Sequence, residues 1–509
     1  MIESVLPRQF PATPLKILVE LRPALDGHAG IPQETRLLFR GLGQLAGTEV
    51  QGLIQSSDRF LAPGLPGRAK VTSEAASQID CLSRVVVSMQ PPVAHRRASL
   101  AGRVAGRLRR LASPAALLLI RSVLGLRHTL TWFDPTHFSD FVWRSLFEKS
   151  LPVEDFEQVT RSAFRVVRPP YRLMHACGLV TLRMGRTVYP KLDTRGIDAM
   201  LSLTPYPAAV SRGTTLVVRY FDAVPLLMPH TIINKAHHQA LHYQSLRFNV
   251  ANGAYFACCS DATRRDLLAV FPEVEARAVT IPCMVSHHYY AEDSSPRRVA
   301  EILARRLNPM VNAASVASAS LPLDDEAGVN YLLMVSTLEP RKNHATLVDA
   351  WEQLRSHAHP GLRLVFVGSL GWEHEAIVER MRLWLDRGDI LLLAGVPADE
   401  LRLIYRHARA TVCPSFAEGF GYAGVEAMCC GGVVVASDIP VHREIYDDAA
   451  EYFNPYSATE AAAAITRVIG PDCADRRQWL LAAGLRVSAR YLPERILPRW
   501  QKFLTGLKQ

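Results

Sequence analysis

The chain has 509 residues, 49% of them apolar and 21% charged, with a formal net charge of +10. That length supports two or three domains with ample cores, and the composition excludes disordered and fibrous proteins. The excess of Lys and Arg suits an anionic partner, and its uneven placement along the chain carries more information than the total.

Met1 to Pro7 lacks a basic region followed by a sustained apolar segment, so no signal peptide is expected and the protein is expected in the cytoplasm. The nine cysteines include no Cys-x-x-Cys pair, and the adjacent pairs Cys258-Cys259 and Cys429-Cys430 suit neither structural zinc nor a disulfide framework. Cys413, Cys429 and Cys430 are expected as small core residues in a reduced compartment.

A first strand is predicted from Leu15 to Leu21, then a loop from Arg22 to Pro32 containing Gly30, then a helix through Glu34 to Leu42. Strand, glycine loop and helix make the opening unit of a parallel α/β sheet. Further strands are predicted from Val50 to Ile54, Ile197 to Leu203 and Leu216 to Phe221, with a helix from Asn234 to Asn252. Residues 90–190 do not alternate cleanly and read as an insertion. Within it Arg96, Arg97, Arg103, Arg107, Arg109, Arg110, Arg121 and Arg127 occur without a carboxylate. Leu100, Val104, Leu108 and Leu111 recur at helical spacing, which predicts a basic amphipathic helix ended by Pro114. The apolar run from Ala115 to Ile120 is far too short to span a bilayer. Such a helix suits an anionic lipid surface, where each basic side chain contributes about 1 kcal/mol; the same pattern also suits an ordinary surface helix.

From Pro309 to Leu321 the chain turns to Ala, Ser, Val and Asn, an interdomain segment that divides 1–315 from 316–492. After it the alternation is regular. Strands are predicted from Tyr331 to Val335, Arg363 to Val367, Ile390 to Ala394, Ala410 to Cys413 and Val433 to Ala436, with helices between them. Ligands of such a doubly wound sheet bind outside the carboxyl ends of its strands.

At one of those ends, Glu418 and Glu426 are separated by seven residues across a glycine-rich turn into a helix. Gly419 and Gly421 let the backbone approach a ligand at the first turn, where the unpaired amides of this stretch, through Phe420 and Tyr422, face an anion. Glu418, on the loop, can accept hydrogen bonds from sugar hydroxyls; Glu426, deeper on the helix, can hold a ribose. Arg341 and Lys342, after one strand and before a helix, can supply the positive charge that a departing nucleoside diphosphate needs. No strand leads into a Gly-x-Gly-x-x-Gly turn with an acidic partner, and no P-loop occurs. Asp324-Asp325 and Asp447-Asp448 lack the Asp-x-Asp spacing of a metal-dependent transferase. No metal and no cofactor beyond a nucleotide-sugar co-substrate is expected.

The stretch Pro414 to Met428 resembles the donor-site signature of the retaining glycosyltransferases of family 4. Ser336 to Asn343 resembles their phosphate-binding loop, and Ala436 to Glu444 is similar to a further segment of that family. The likeness covers roughly residues 328–456 well and the N-terminal half poorly. It implies an α/β protein of GT-B architecture, with two Rossmann-like doubly wound domains facing a cleft and a terminal helix at 493–509 crossing back to the first. It further implies retaining transfer of a hexose to a glycan or lipid-linked glycan of the bacterial cell envelope, such as O-antigen or capsule. GDP-mannose is the leading donor, UDP- and dTDP-sugars are the alternatives, and nucleic acid is not an expected partner. Glu418, Arg341 and Lys342 would be catalytic. With them Gly30, Thr337, Val396, Gly419, Phe420, Gly421, Tyr422 and Glu426 would line the donor site, Thr337 standing where the family often has another arginine. Arg219 to Pro225 resembles a segment in which a histidine usually precedes the aspartate. Here Phe221 takes that place, which leaves a non-catalytic glycan-binding scaffold as the second reading and His28 as a substitute by position. Ser260 to Asp266 matches a family segment that opens an N-capped helix.

Overall fold

The computed structural model describes residues 13–28, 30–67, 75–90, 114–312 and 329–507. They form two compact units, one comprising Met1–Tyr220, Ala240–Ala257 and Leu497–Gln509, the other Phe221–Gln239 and Cys258–Ile496. The boundary expected at 315 and the basic stretch from Arg96 to Arg110 lie outside the described residues.

Strands of the first unit are β1 (Leu15–Glu20), β2 (Thr48–Ile54), β3 (Thr131–Phe133), β4 (Ala163–Val166), β5 (Ala199–Ser202), β6 (Thr215–Tyr220) and β7 (Tyr255–Cys258). They run side by side as β7-β6-β5-β1-β2-β4-β3. β1 pairs in parallel with β2 and β5, as β2 does with β4 and β5 with β6, whereas β3 runs antiparallel to β4 at the edge. Parallel neighbours need a crossover, which helix Ile31–Leu42 supplies between β1 and β2. The stretch read as an insertion thus contributes β3 and β4 to the main sheet.

Two arginines buried in this unit are held by oxygen partners. Arg36, fully buried, donates to the carbonyls of Ala24, Asp26, Gly27 and Leu146 and to Ser150 Oγ, which clamps the loop after β1. Burial pushes its pKa down to about 10. Arg219 meets Glu34 at 2.8 Å with neither side chain exposed. In helix Pro493–Gly506, Trp500 lies near that guanidinium, Leu497 covers Gly41, and Gln501 Nε2 donates to Ala46 O.

The second unit holds β8 (Tyr331–Val335), β9 (Arg363–Val367), β10 (Ile390–Leu393), β11 (Ala410–Cys413), β12 (Val434–Ser437) and β13 (Ala450–Phe453). Their order is β10-β9-β8-β11-β12-β13, and all neighbours are parallel. Tyr331, Leu333, Val365 and Val367 enter the apolar cluster on one face, while Leu332, Met334, Leu364 and Phe366 enter the cluster on the other. A strand covered on both faces is apolar throughout rather than alternating. Order reverses between β8 and β11, so the crevice that takes a ligand opens beyond the carboxyl ends of those two strands. Among the described residues no helix is long and apolar enough to cross a membrane.

Candidate active site

Two loops leave the sheet at that reversal, one after β8 and one after β11. Phe416 N donates to Arg341 O at 2.9 Å and joins them. Asn343, in the left-handed region at φ +60°, donates from Nδ2 to Pro414 O at 3.0 Å and Pro455 O at 2.7 Å. The loop ending in Asn343 is therefore fixed against the strand ends before any charged side chain is considered.

On this frame Lys342 Nζ donates to Glu418 Oε1, and Arg341 Nη1 lies 3.2 Å from Glu418 Oε2 and 3.2 Å from Ala417 O. Arg341 Nε donates to Glu339 Oε2 at 3.2 Å, and Ser415 Oγ donates to Glu418 Oε1 at 2.7 Å. The side chains of Arg341, Lys342 and Glu418 are 18, 15 and 12% exposed, so solvent screens them weakly. Burial alone would push the Glu418 carboxyl up. The charges of Lys342 and Arg341, with hydrogen bonds from Lys342 and Ser415, outweigh burial and hold it well below the usual carboxylate range. Burial likewise opposes the Arg341 charge, but Glu418, Glu339 and Asp222 raise its pKa in sum. Glu339 goes the other way, burial holding its carboxyl above the ordinary value against Arg341 and Lys342. An ammonium carries three donors and a guanidinium five, so these contacts leave N–H groups on both cations for an anion.

The turn after Glu418 is packed to the limit. A Cβ on Gly419 would stand 1.8 Å from the carbonyl oxygen of Phe221. Cys259 Sγ lies 2.9 Å from Phe221 O and 3.0 Å from Gly419 O, and Ser260 Oγ donates to Gly419 O at 2.8 Å. Phe221 thus meets the Gly419 turn through its backbone. Gly421, at φ +82°, precedes helix Tyr422–Cys429, and the Tyr446 hydroxyl donates to its carbonyl at 2.7 Å. Phe420 is buried edge-on against the rings of Tyr422 and Tyr491, so it offers the crevice its amide.

Glu426 sits deeper, 3% exposed, and its Oε2 accepts from the Tyr405 hydroxyl at 2.9 Å. Val396 is buried in the apolar cluster beside Gly395, whose carbonyl accepts from Arg306 at 3.1 Å. Thr337 is half-buried in the loop after β8. The second unit therefore gathers Arg341, Lys342, Glu418 and the Gly419 to Tyr422 turn. Gly30, at φ +69° before helix Ile31–Leu42, and His28, whose pKa burial pushes down, belong to the first unit.

Several supporting residues have no spacing signal. Ser437 Oγ donates to Ser415 O at 2.6 Å and lies 3.0 Å from His442 Nδ1, whose pKa burial pushes down to about 4 although Glu418 pulls it upward. Glu444 accepts from the amides of Asp261 and Ala262 at 2.6 and 2.8 Å. Those amides open helix Asp261–Val270, for which Ser260 is the cap. The segment from Ala436 to Glu444 thus braces the loop after β11 on one side and ties down the helix at Ser260 on the other. Glu339, Ser415 and Asp222 join the cluster; each lies in a segment of family resemblance, and its partners in space assign it there.

Residues 323–479 match the family model described as Glycosyl transferases group 1. An O-antigen chain mannosyltransferase B of Escherichia coli is 29% identical over 229 residues, 45% of this chain and 55% of the relative. A serotype-specific mannosyltransferase WbdA of Escherichia coli is 32% identical over 159 residues, 30% of this chain and 19% of the relative. The chain spans about half the length of the first of these relatives and less of the second. A sucrose-phosphate synthase from Thermosynechococcus elongatus aligns over 97% of this chain and 99% of its own, with a TM-score of 0.56 and 16% identity, a likeness of fold. The reversed sheet and its two loops lie within residues 323–479, the region that matches the group 1 model, and the chain has a fold of the GT-B type with two Rossmann-like units.

Proposed function

We propose that this protein is a retaining glycosyltransferase that moves mannose from GDP-mannose to a growing bacterial cell-envelope glycan of the O-antigen kind. The observation that carries the reading is the Glu418, Arg341 and Lys342 cluster at the reversal point of a doubly wound sheet, inside the region that matches group 1. The names of the two mannosyltransferase relatives support the choice of sugar and acceptor.

In this reading the bond from the anomeric carbon to the diphosphate oxygen breaks, and the electron pair leaves with the nucleoside diphosphate. Arg341, Lys342 and the amides around Gly419 and Gly421 meet the growing negative charge. Glu418 holds both cations and accepts from donor hydroxyls, and Glu426 serves the ribose. The acceptor hydroxyl bonds to the anomeric carbon on the face that the diphosphate leaves, and its proton passes to the departing diphosphate oxygen.

Two measurements test this. Turnover is expected to survive exhaustive chelation by EDTA, because fixed cations serve the diphosphate; loss of activity restored by magnesium or manganese would refute that part. In a thermal-shift panel of GDP, UDP, dTDP and ADP, GDP should stabilise most, by about 2.7 kcal/mol at a hundredfold excess over Kd. A larger shift with UDP or dTDP reassigns the donor and keeps the mechanism. No shift with any nucleotide favours a glycan-binding scaffold.

A further inference from the structure

The first unit presents an apolar face to solvent. In the helix over residues 114–123 Leu118 and Ser122 point inward and are buried, whereas Leu117, Ile120, Val123 and the following Leu124 are 54 to 67% exposed. Their spacing puts them on one stripe of the helix. Ser122 hydrogen-bonds Cys177, which sets helix Tyr171–Leu182 alongside. That neighbour adds Val180, and Met184 just past its end is 77% exposed. Both segments then enter a small parallel pair in which Arg127 stands opposite Lys191. Leu124 and Met184 thus stand at the ends of two neighbouring helical segments.

Charge identifies what this surface fits. Arg183 and Arg186 flank Met184 along the chain, Arg127 and Lys191 face each other in the strand pair, and all four are exposed. Neither Asp nor Glu occurs from Cys81 to Phe133 or from Gln158 to Leu192. The next carboxylate, Asp193, is held by Arg195 at 2.6 Å. His128 registers the surrounding field: burial first, then Arg121 and Arg168, push its pKa down to about 4. A second copy of the chain docking symmetrically would set these cations against themselves. Exposed apolar side chains with cations on the same segments match the acyl boundary and phosphates of an anionic membrane.

We propose that the face formed by Leu117, Ile120, Leu124 and Met184, with Arg183, Arg186 and Lys191 at its rim, docks on an anionic lipid bilayer. The surface is distinct from the donor site and independent of the glycosyl-transfer reading.

The full chain should sediment with vesicles of equal phosphatidylglycerol and phosphatidylcholine, and binding should weaken as salt rises. The triple variant Arg183→Gln, Arg186→Gln, Lys191→Gln should bind these vesicles at least about 10-fold more weakly. The pair Leu124→Ser and Met184→Ser should also weaken binding, and both variants should keep the wild-type melting temperature. A Leu124→Trp reporter should shift its emission to the blue with anionic vesicles and remain unchanged with pure phosphatidylcholine. Equal sedimentation of wild type and both variants would overturn the proposal. So would an unshifted reporter, or self-association that the serine variants abolish without vesicle binding.

Discussion

Glu418→Gln should lower kcat by about 10²- to 10³-fold while nucleoside diphosphate binding is kept. Glutamine preserves shape and removes the charge that Arg341 and Lys342 share. Both cations then remain available to a diphosphate, so loss falls on the step in which the sugar develops positive charge. Glu426→Gln should instead raise KM with a smaller change in kcat, because a ribose contact is formed equally in ground and transition states. Steady-state kinetics on the pair decides, and near-normal turnover by Glu418→Gln would remove it from the site. A pH signature accompanies the charge. The folded carboxyl lies below its ordinary value of 4.5, so the stability it contributes is complete above that value and is lost as pH falls toward the folded pKa. The gap in Tm between wild type and Glu418→Gln should accordingly be widest near neutral pH and close in acid.

Physical reasons separate what could be read from the sequence from what could not. β8, β9 and β11 are covered on both faces, so their apolar runs carry their own ends and the loops beyond them. Arg341, Lys342 and Glu418 stand on those loops and were therefore legible. β13 was hidden because Glu451 sits within it, and that carboxylate is accommodated by Arg467 and Arg476 at 2.8 and 2.6 Å. β4 was hidden similarly. Its Arg165 stacks 3.5 Å from the Trp132 ring and donates to Gln51, contacts that follow from the fold. Ser260 and Cys259 reach Gly419 across about 160 residues of chain, which no local spacing encodes. Phe221 is instructive in another way. Gly419 packs against its carbonyl oxygen, an atom every residue possesses, so exchanging a histidine for phenylalanine leaves that contact in place.

Arg341→Ala should lower kcat/KM by about 10³-fold, roughly 4 kcal/mol of transition-state stabilisation, and largely abolish the thermal shift with GDP. Its guanidinium contacts Glu339 from Nε and reaches Glu418 and Ala417 O from Nη1, so one planar group orders three loop atoms and still presents donors outward. Arg341→Lys should restore little, because an ammonium is a point charge without that fork. Removing Arg341 also withdraws a charge that restrains Glu339, whose carboxyl already lies above its ordinary value through burial. Glu339 should then hold a proton at a still higher pH, and the pH profile of the residual activity should move upward. Arg341 and Glu418 act in one cluster, so Arg341→Ala with Glu418→Gln should cost clearly less than the product of the two single losses. Multiplicative losses, or activity in Arg341→Lys close to wild type, would mean that the arginine serves as a generic positive charge and that the diphosphate is held elsewhere.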